Sequence, residues 1–285
     1  MFPFRHPSAT DLRQRRLVIG LGAMKSGTTW LSDYLATHPG FFHSPIKEMN
    51  IFNRRWPNPF DQDGPAFRLW RMEEIVLDPH YPRSGKLRMR LRALAEIGRI
   101  ETDDDYLSYF ARRMRGQAAF GEISPSYAAL PADALRQIAG LTADVRFLFL
   151  MRDPVARMAS NIQHLRRRLR AADPVERVME EVTPGTPLWA RGDYGQTLHA
   201  LAGAGVRAKG LIYEDLFREQ TIRDLCAWLD LPFAPPDFAK RLNVAQGARL
   251  TDTQLSHLRD RLEPVYQDLS RRFGADRPKA WRWDG

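Results

Sequence analysis

Four short, nearly unbroken apolar runs constrain this 285-residue chain most: RLVIGLG (16–22), AAFGEI (118–123), VRFLFLM (145–151) and AKGLIY (208–213). Each is bounded by Gly, Pro, charge or turn residues. A strand that is apolar on both faces needs helices above and below it, which is the situation of a parallel sheet. Helical patterns lie between the runs, over 29–37, 104–115, 131–139, 155–170 and 221–229. The C-terminal stretch DTQLSHLRDRLEPVYQDLSRRFG reads as a helix bent at Pro264 and stopped by Gly274. This alternation predicts an α/β fold: one domain over 1–285, with a central parallel sheet flanked by helices and residues 1–15 as an extension. Residues 52–99 are rich in Pro, Trp and Arg and weakly periodic, and read as an insertion over the sheet that shapes an acceptor site.

Composition removes several alternatives. A chain that is 44% hydrophobic and 27% charged is globular rather than disordered. The one cysteine, Cys226, excludes an intramolecular disulfide and a multi-cysteine zinc site, and the histidines are not paired at ligand spacing, so no metal is expected. The formal charge of +9 suits an anionic partner or simply a solvated Arg-rich surface. The run RRRLR (166–170) reads as a solvated helix face, so no nucleic-acid partner is expected. No stretch approaches the roughly 18 to 20 apolar residues that span a bilayer. A cytoplasmic enzyme is the expectation, with peripheral membrane contact and oligomeric state left open.

The turn after the first run, GLGAMKSGTTW, carries the clearest chemistry. Successive backbone N–H groups in a Gly-containing turn before a helix N-terminus cradle tetrahedral anions, and the helix dipole adds about half a positive charge there. Lys25 supplies a mobile full charge, and Thr28 and Thr29 supply hydroxyls. In the usual phosphate loop the Lys follows the last Gly directly, whereas Lys25 precedes Gly27. The third run ends in MRDPVARMAS, which puts Arg152 at the carboxyl edge where open parallel sheets bind ligands. Arg is suited to bidentate phosphate capture, and Ser160, about two turns into the following helix, can converge with it on one phosphate. An Arg152–Asp153 ion pair is the structural alternative.

These residues together resemble the sulfotransferases that use 3′-phosphoadenosine-5′-phosphosulfate (PAPS), especially the carbohydrate and heparan sulfate type. KSGTTWL (25–31) resembles that family's 5′-phosphosulfate loop, which assigns Lys25, Ser26, Gly27, Thr28, Thr29 and Trp30 to the donor. RDPVARMAS (152–160) resembles its 3′-phosphate segment, with Arg152 and Ser160 as ligands. PIKEMNIF (45–52), GEISPSY (121–127) and YEDL (213–216) match further segments, and VAQGARL (244–250) more faintly, which places Gly247 and Arg249 near the nucleotide. The resemblance implies a P-loop-NTPase-like sulfotransferase fold, PAPS as donor, PAP as product and a hydroxyl-bearing acceptor, a saccharide first among the candidates. A lipid headgroup or small metabolite stays open as acceptor.

By that resemblance, Lys25 stabilises charge on the departing phosphate, and Glu48 is the base that removes the acceptor proton. Lys47 beside it depresses the Glu48 pKa or orients a sulfate. His38 and His43 are rival bases, although His38, in THPG, reads as a helix stop. Glu122 and Ser124 are expected to line the substrate site with Lys47 and His43. A phosphate-loop kinase and a non-catalytic anion or glycan binder are the competing readings. The kinase reading requires a Lys directly after the last Gly and an acidic magnesium ligand, and this sequence offers neither, since FLFLM is followed by Arg152.

Overall fold

The computed structural model describes residues 6–56, 69–73, 76, 85–169, 175–239, 250–276 and 278–281. Its strands are β1 (Arg16–Gly22), β2 (Phe41–His43), β3 (Ala119–Ile123), β4 (Asp144–Met151) and β5 (Ala208–Ile212). They form one sheet in the order β2-β3-β1-β4-β5, and every neighbouring pair is parallel. Four of the five are the apolar runs of the sequence. The fifth, β2, is only three residues long and exists through its pairing of Phe41 with Ala119 and His43 with Gly121.

The helices are α1 (Ala9–Leu12), α2 (Thr28–Thr37), α3 (Gly85–Ile97), α4 (Asp103–Ala111) and α5 (Ala132–Ala139). After β4 come α6 (Pro154–Leu169), two short helical segments over Val175–Glu180 and Pro187–Ala190, then α7 (Tyr194–Ala204), α8 (Glu219–Trp228) and α9 (Asp252–Phe273). Alternate strand side chains face opposite layers. Leu17, Ile19 and Leu21 join Phe147, Phe149 and Met151 in one core, against α4, α5, α6, α7 and α9. Val18, Leu148, Leu150 and Leu211 join a second core under α2 and α8. Two covered faces are what the unbroken apolar runs demanded.

Local signals fix the ends of these helices. Ser8 and Asp11 close a capping box on α1, and Leu12 is fully buried, so α1 packs onto the domain. The α4 helix stops at Ala111, short of the 115 its pattern suggested, where Arg113 and Met114 turn their N–H groups back to Phe110. Asp153 accepts from the Ala156 N–H at 2.8 Å, with Pro154 in the first position of α6. Along α9, Leu258, Leu262, Val265 and Leu269 form a buried stripe. Each contributes about 1.5–3 kcal/mol. The helix continues through Pro264 to the cap at Gly274.

Because all five strands are parallel, their carboxyl ends share one edge. The chain passes to the β2–β3 side after β1 and crosses back over it to reach β4, so the strand order reverses at β1. Ligand crevices in open α/β sheets form at such a reversal. Within residues 52–99, α3 sends Ala93, Leu94 and Ile97 into the core, and Arg54 binds the Ile97 and Ile100 carbonyls. Residues 57–68, 74, 75 and 77–84 lie outside the described residues.

Candidate functional site

The loop after β1 leaves the sheet at Ala23, whose N–H donates to the Leu150 carbonyl at 2.7 Å. Lys25 has φ 68° and Gly27, the N-cap of α2, has φ 89°. Left-handed positions of this kind turn successive N–H groups inward and make an anion-binding concavity. A Cβ at Gly27 would sit 2.8 Å from the Tyr213 ring, so β5's end packs directly on the loop. Ser26 is fully buried and Thr28 nearly so, while Thr29 is half-buried. Trp30 is buried in an aromatic group, stacked on Tyr34 at 5.8 Å and Phe238 at 5.9 Å.

The segment after β2 carries the second group. Glu48 has φ 59° and Asn50 has φ 55°, so three of the four non-glycine residues with positive φ among those described stand in these two segments. Such conformations cost on the order of 1–3 kcal/mol each and persist only when surroundings over-determine them. The surroundings here are identifiable. Arg71 forks onto successive carbonyls, Nη2 to Lys47 and Nη1 to Glu48 at 2.5 Å. From beneath, the Glu48 N–H donates to the Ile123 carbonyl at 3.3 Å, the Met49 N–H to Glu122 Oε2 at 3.1 Å and the Asn50 N–H to Ser124 Oγ at 3.1 Å.

Lys47 joins the two segments: its ammonium stands 3.2 Å from Glu48 Oε1 and donates to Thr29 Oγ1. The Glu48 side chain keeps about a quarter of its surface, 26%, open to solvent. Partial burial raises its pKa, but Lys47 and Arg71 outweigh that and hold it below 4.5. At neutral pH it is an ionised acceptor with an adjacent cation.

Glu122 and Ser124 differ from their sequence expectation of substrate contact. They are 1% and 0% exposed. Glu122 accepts from Ser124 Oγ at 2.6 Å and from the Tyr127 hydroxyl at 2.9 Å as well as from Met49. Burial pushes its pKa up to about 7 in spite of those donors. The pair holds the Glu48 segment in place instead of facing the open edge. His43 is likewise buried, with Nε2 2.8 Å from Ser32 Oγ and Nδ1 2.7 Å from the Ser44 carbonyl. The carbonyl requires the proton on Nδ1, so Nε2 accepts from Ser32 and both nitrogens are engaged. Burial lowers its pKa to about 4, which makes it neutral at pH 7. His38 caps α2, and its Nε2 binds the Pro232 carbonyl at 2.9 Å, in the helix-stop role expected.

After β4, Arg152 Nη1 donates to the Lys25 carbonyl at 3.3 Å, and the guanidinium lies 4.4 Å over the Tyr213 ring. The Tyr194 hydroxyl fixes the Arg152 backbone by donating to its carbonyl at 2.8 Å. The alternative of an Arg152–Asp153 pair does not form, because Asp153 is committed to Ala156 and to the Tyr266 hydroxyl at 2.6 Å. Ser160 is half-buried on α6. Gly247 and Arg249 lie outside the described residues. Within the 52–99 insertion, Trp56 packs against the core, and Arg71 is turned to the backbone of Lys47 and Glu48. That clamp was invisible in the sequence, since no local pattern links residue 71 to residue 48.

A five-stranded parallel sheet flanked by helices, with the Lys25 turn, a cation-flanked Glu48 and Arg152 near its carboxyl edge, defines a single α/β domain. The chain belongs to the sulfotransferase family, whose model matches residues 18–235. No curated protein matches it. Among solved structures, a sulfotransferase from Alicyclobacillus acidocaldarius shares the fold at 23% identity and a TM-score of 0.62, over 95% of this chain and 99% of that one. The sulfotransferase domain of the Synechococcus PCC 7002 olefin synthase aligns at 18% identity and a TM-score of 0.47, over 86% of this chain and 88% of that domain.

Proposed function

We propose that this chain transfers the sulfuryl group of PAPS to an acceptor hydroxyl by in-line displacement, releasing PAP. The observation that carries the reading is the Lys47 bridge, which ties Thr29 in the first turn of α2 to Glu48. Donor loop and base are thereby held as one unit. The residues fit a donor with two separate phosphate positions: a Lys-bearing turn with left-handed Lys25 and Gly27, and an arginine, Arg152, on the neighbouring strand end.

The donor supplies an activated sulfuryl group on its 5′-phosphate. Lys25 and the N–H groups of Gly27, Thr28 and Thr29 hold that end, with Ser26 buried beneath the turn and its N–H closing the turn on the Ala23 carbonyl, and with Lys25 stabilising the negative charge left on the phosphate oxygen. Arg152 and Ser160 take the 3′-phosphate, and Trp30 supports the loop from within its aromatic cluster. Glu48 accepts the hydroxyl proton as the acceptor oxygen bonds to sulfur and the sulfur–oxygen bond to phosphate breaks. Lys47 keeps Glu48 ionised. Glu122, Ser124 and the neutral His43 position this machinery from below. A saccharide hydroxyl is the favoured acceptor, with a lipid headgroup or small metabolite as the alternatives to be screened.

Thermal unfolding with millimolar PAP, compared with ATP and magnesium, tests the donor. PAP is expected to raise the melting temperature. No change with PAP and a rise with ATP and magnesium would replace this reading by a phosphate-loop kinase.

A further inference from the structure

Arg157 stands on α6, one turn after Arg152, and is 1% exposed. Its Nε and Nη1 have no hydrogen-bond partner among the described residues, and Nη2 reaches only the sulfur of Met158, at 3.7 Å. Burial disfavours its charge, the Tyr194 phenol partly opposes that, and Arg152 disfavours it further. A guanidinium nevertheless stays protonated in proteins. Asn161, the next residue along the same helical face, is fully buried, and neither its amide nitrogen nor its oxygen has a partner among the described residues. The turn at Gly192 packs on the guanidinium so closely that a Cβ there would overlap Nη2.

A buried charge without a counter-charge costs several kcal/mol, and folds do not retain that cost without a compensating partner. The partner the geometry lacks is an anion. The neighbouring arginine, the buried amide and the covering glycine turn are all consistent with one that enters with a ligand. Among the described residues no carboxylate pairs with Arg157, whereas Arg152 on the same sheet edge has an acceptor in place, the Lys25 carbonyl.

We propose that Arg157 is an internal phosphate anchor, which with Asn161 forms the floor of a site for a phosphate dianion shared with Arg152. Resting on the donor reading above, that dianion is the nucleotide's 3′-phosphate, and Arg157 is the residue that distinguishes a 3′-phosphorylated nucleotide from one without it. Reaching the guanidinium requires the Gly192 turn to give way, so binding and a shift of that turn are coupled.

The test uses the full chain and Arg157→Met, with PAP, AMP and inorganic phosphate as probes in calorimetry and thermal unfolding. Removing an uncompensated charge should leave the ligand-free variant at least as stable as the wild type. The wild type should bind PAP more tightly than AMP, and the variant should lose about 10- to 100-fold in PAP affinity with AMP affinity changed little. Retention of the wild-type preference for PAP overturns the proposal. If Arg157→Met does not fold, Arg157→Gln is measured in the same way, and failure of both to fold shows that the fold itself needs the guanidinium, which also overturns it. Failure of the wild type to bind PAP would sink the donor reading separately. In that case, stabilisation of the wild type but not the variant by inorganic phosphate upholds the anchor, and equal response of both refutes it.

Discussion

Lys47 Nζ stands 3.2 Å from Glu48 Oε1 and the same ammonium reaches Thr29 in the first turn of α2. Burial alone would raise the Glu48 pKa, yet Lys47 and Arg71 bring it below 4.5. A base must be deprotonated to act, so the acid limb of the kcat/KM profile should lie below pH 4.5 in the wild type. Lys47→Met should move that limb upward. A wild-type limb well above that value would detach Glu48 from the base role.

Arg71 holds Glu48 by its backbone, with a guanidinium fork on two consecutive carbonyls beside a left-handed φ of 59°. Hydrogen bonds to a charged group contribute about 1.5–3 kcal/mol each, enough to offset the strain. Arg71→Ala should lower kcat about tenfold or more with little change in donor KM, and raise the acid limb by removing a cation. Arg71→Lys should restore the limb better than the rate, because an ammonium keeps the charge without the fork. Loss of donor affinity alone would argue against a positioning role.

Lys25 lies in the turn that receives the leaving phosphate in this account, with φ 68° and its carbonyl bound by Arg152. Lys25→Met should cost about 10²–10³ in kcat, the range for removing one preorganised donor from a site of developing charge. A fall confined to KM would show uniform ground-state binding instead.

Glu122 makes a stability prediction separable from catalysis. Burial sets its pKa at about 7 against an unfolded value of 4.5, so between those pH values the folded chain binds more protons than the unfolded one. Stability therefore falls as pH rises through that window, by roughly 3 kcal/mol at 1.36 kcal/mol per unit. Glu122→Gln should remove this slope, so that the difference from wild type moves in the variant's favour from pH 4.5 to 7 in urea titrations. Parallel profiles would contradict the assignment.

Much of this arrangement is legible in the sequence because it is local. The runs at 16–22 and 145–151 are strands by composition alone, and the parallel sheet they demand places Lys25 and Arg152 on one edge. What escapes is what depends on distant partners. FFH becomes β2 only beside β3, and three residues carry no readable alternation. Glu122 reads as a site residue at a strand end, but the direction of its side chain is set by Tyr127 and the Met49 N–H. Arg71 and Arg157 are two arginines among many until their surroundings are seen.

Transfer of radiolabelled sulfate from PAPS to a panel of saccharides, lipid headgroups and small hydroxylated metabolites, by wild type and Glu48→Ala side by side, tests the central claim most directly. The account predicts labelled product from at least one acceptor class with the wild type, about 10²-fold less with Glu48→Ala, and PAP binding preserved in the variant. Wild type without transfer to any acceptor, or a variant with undiminished turnover, would contradict it.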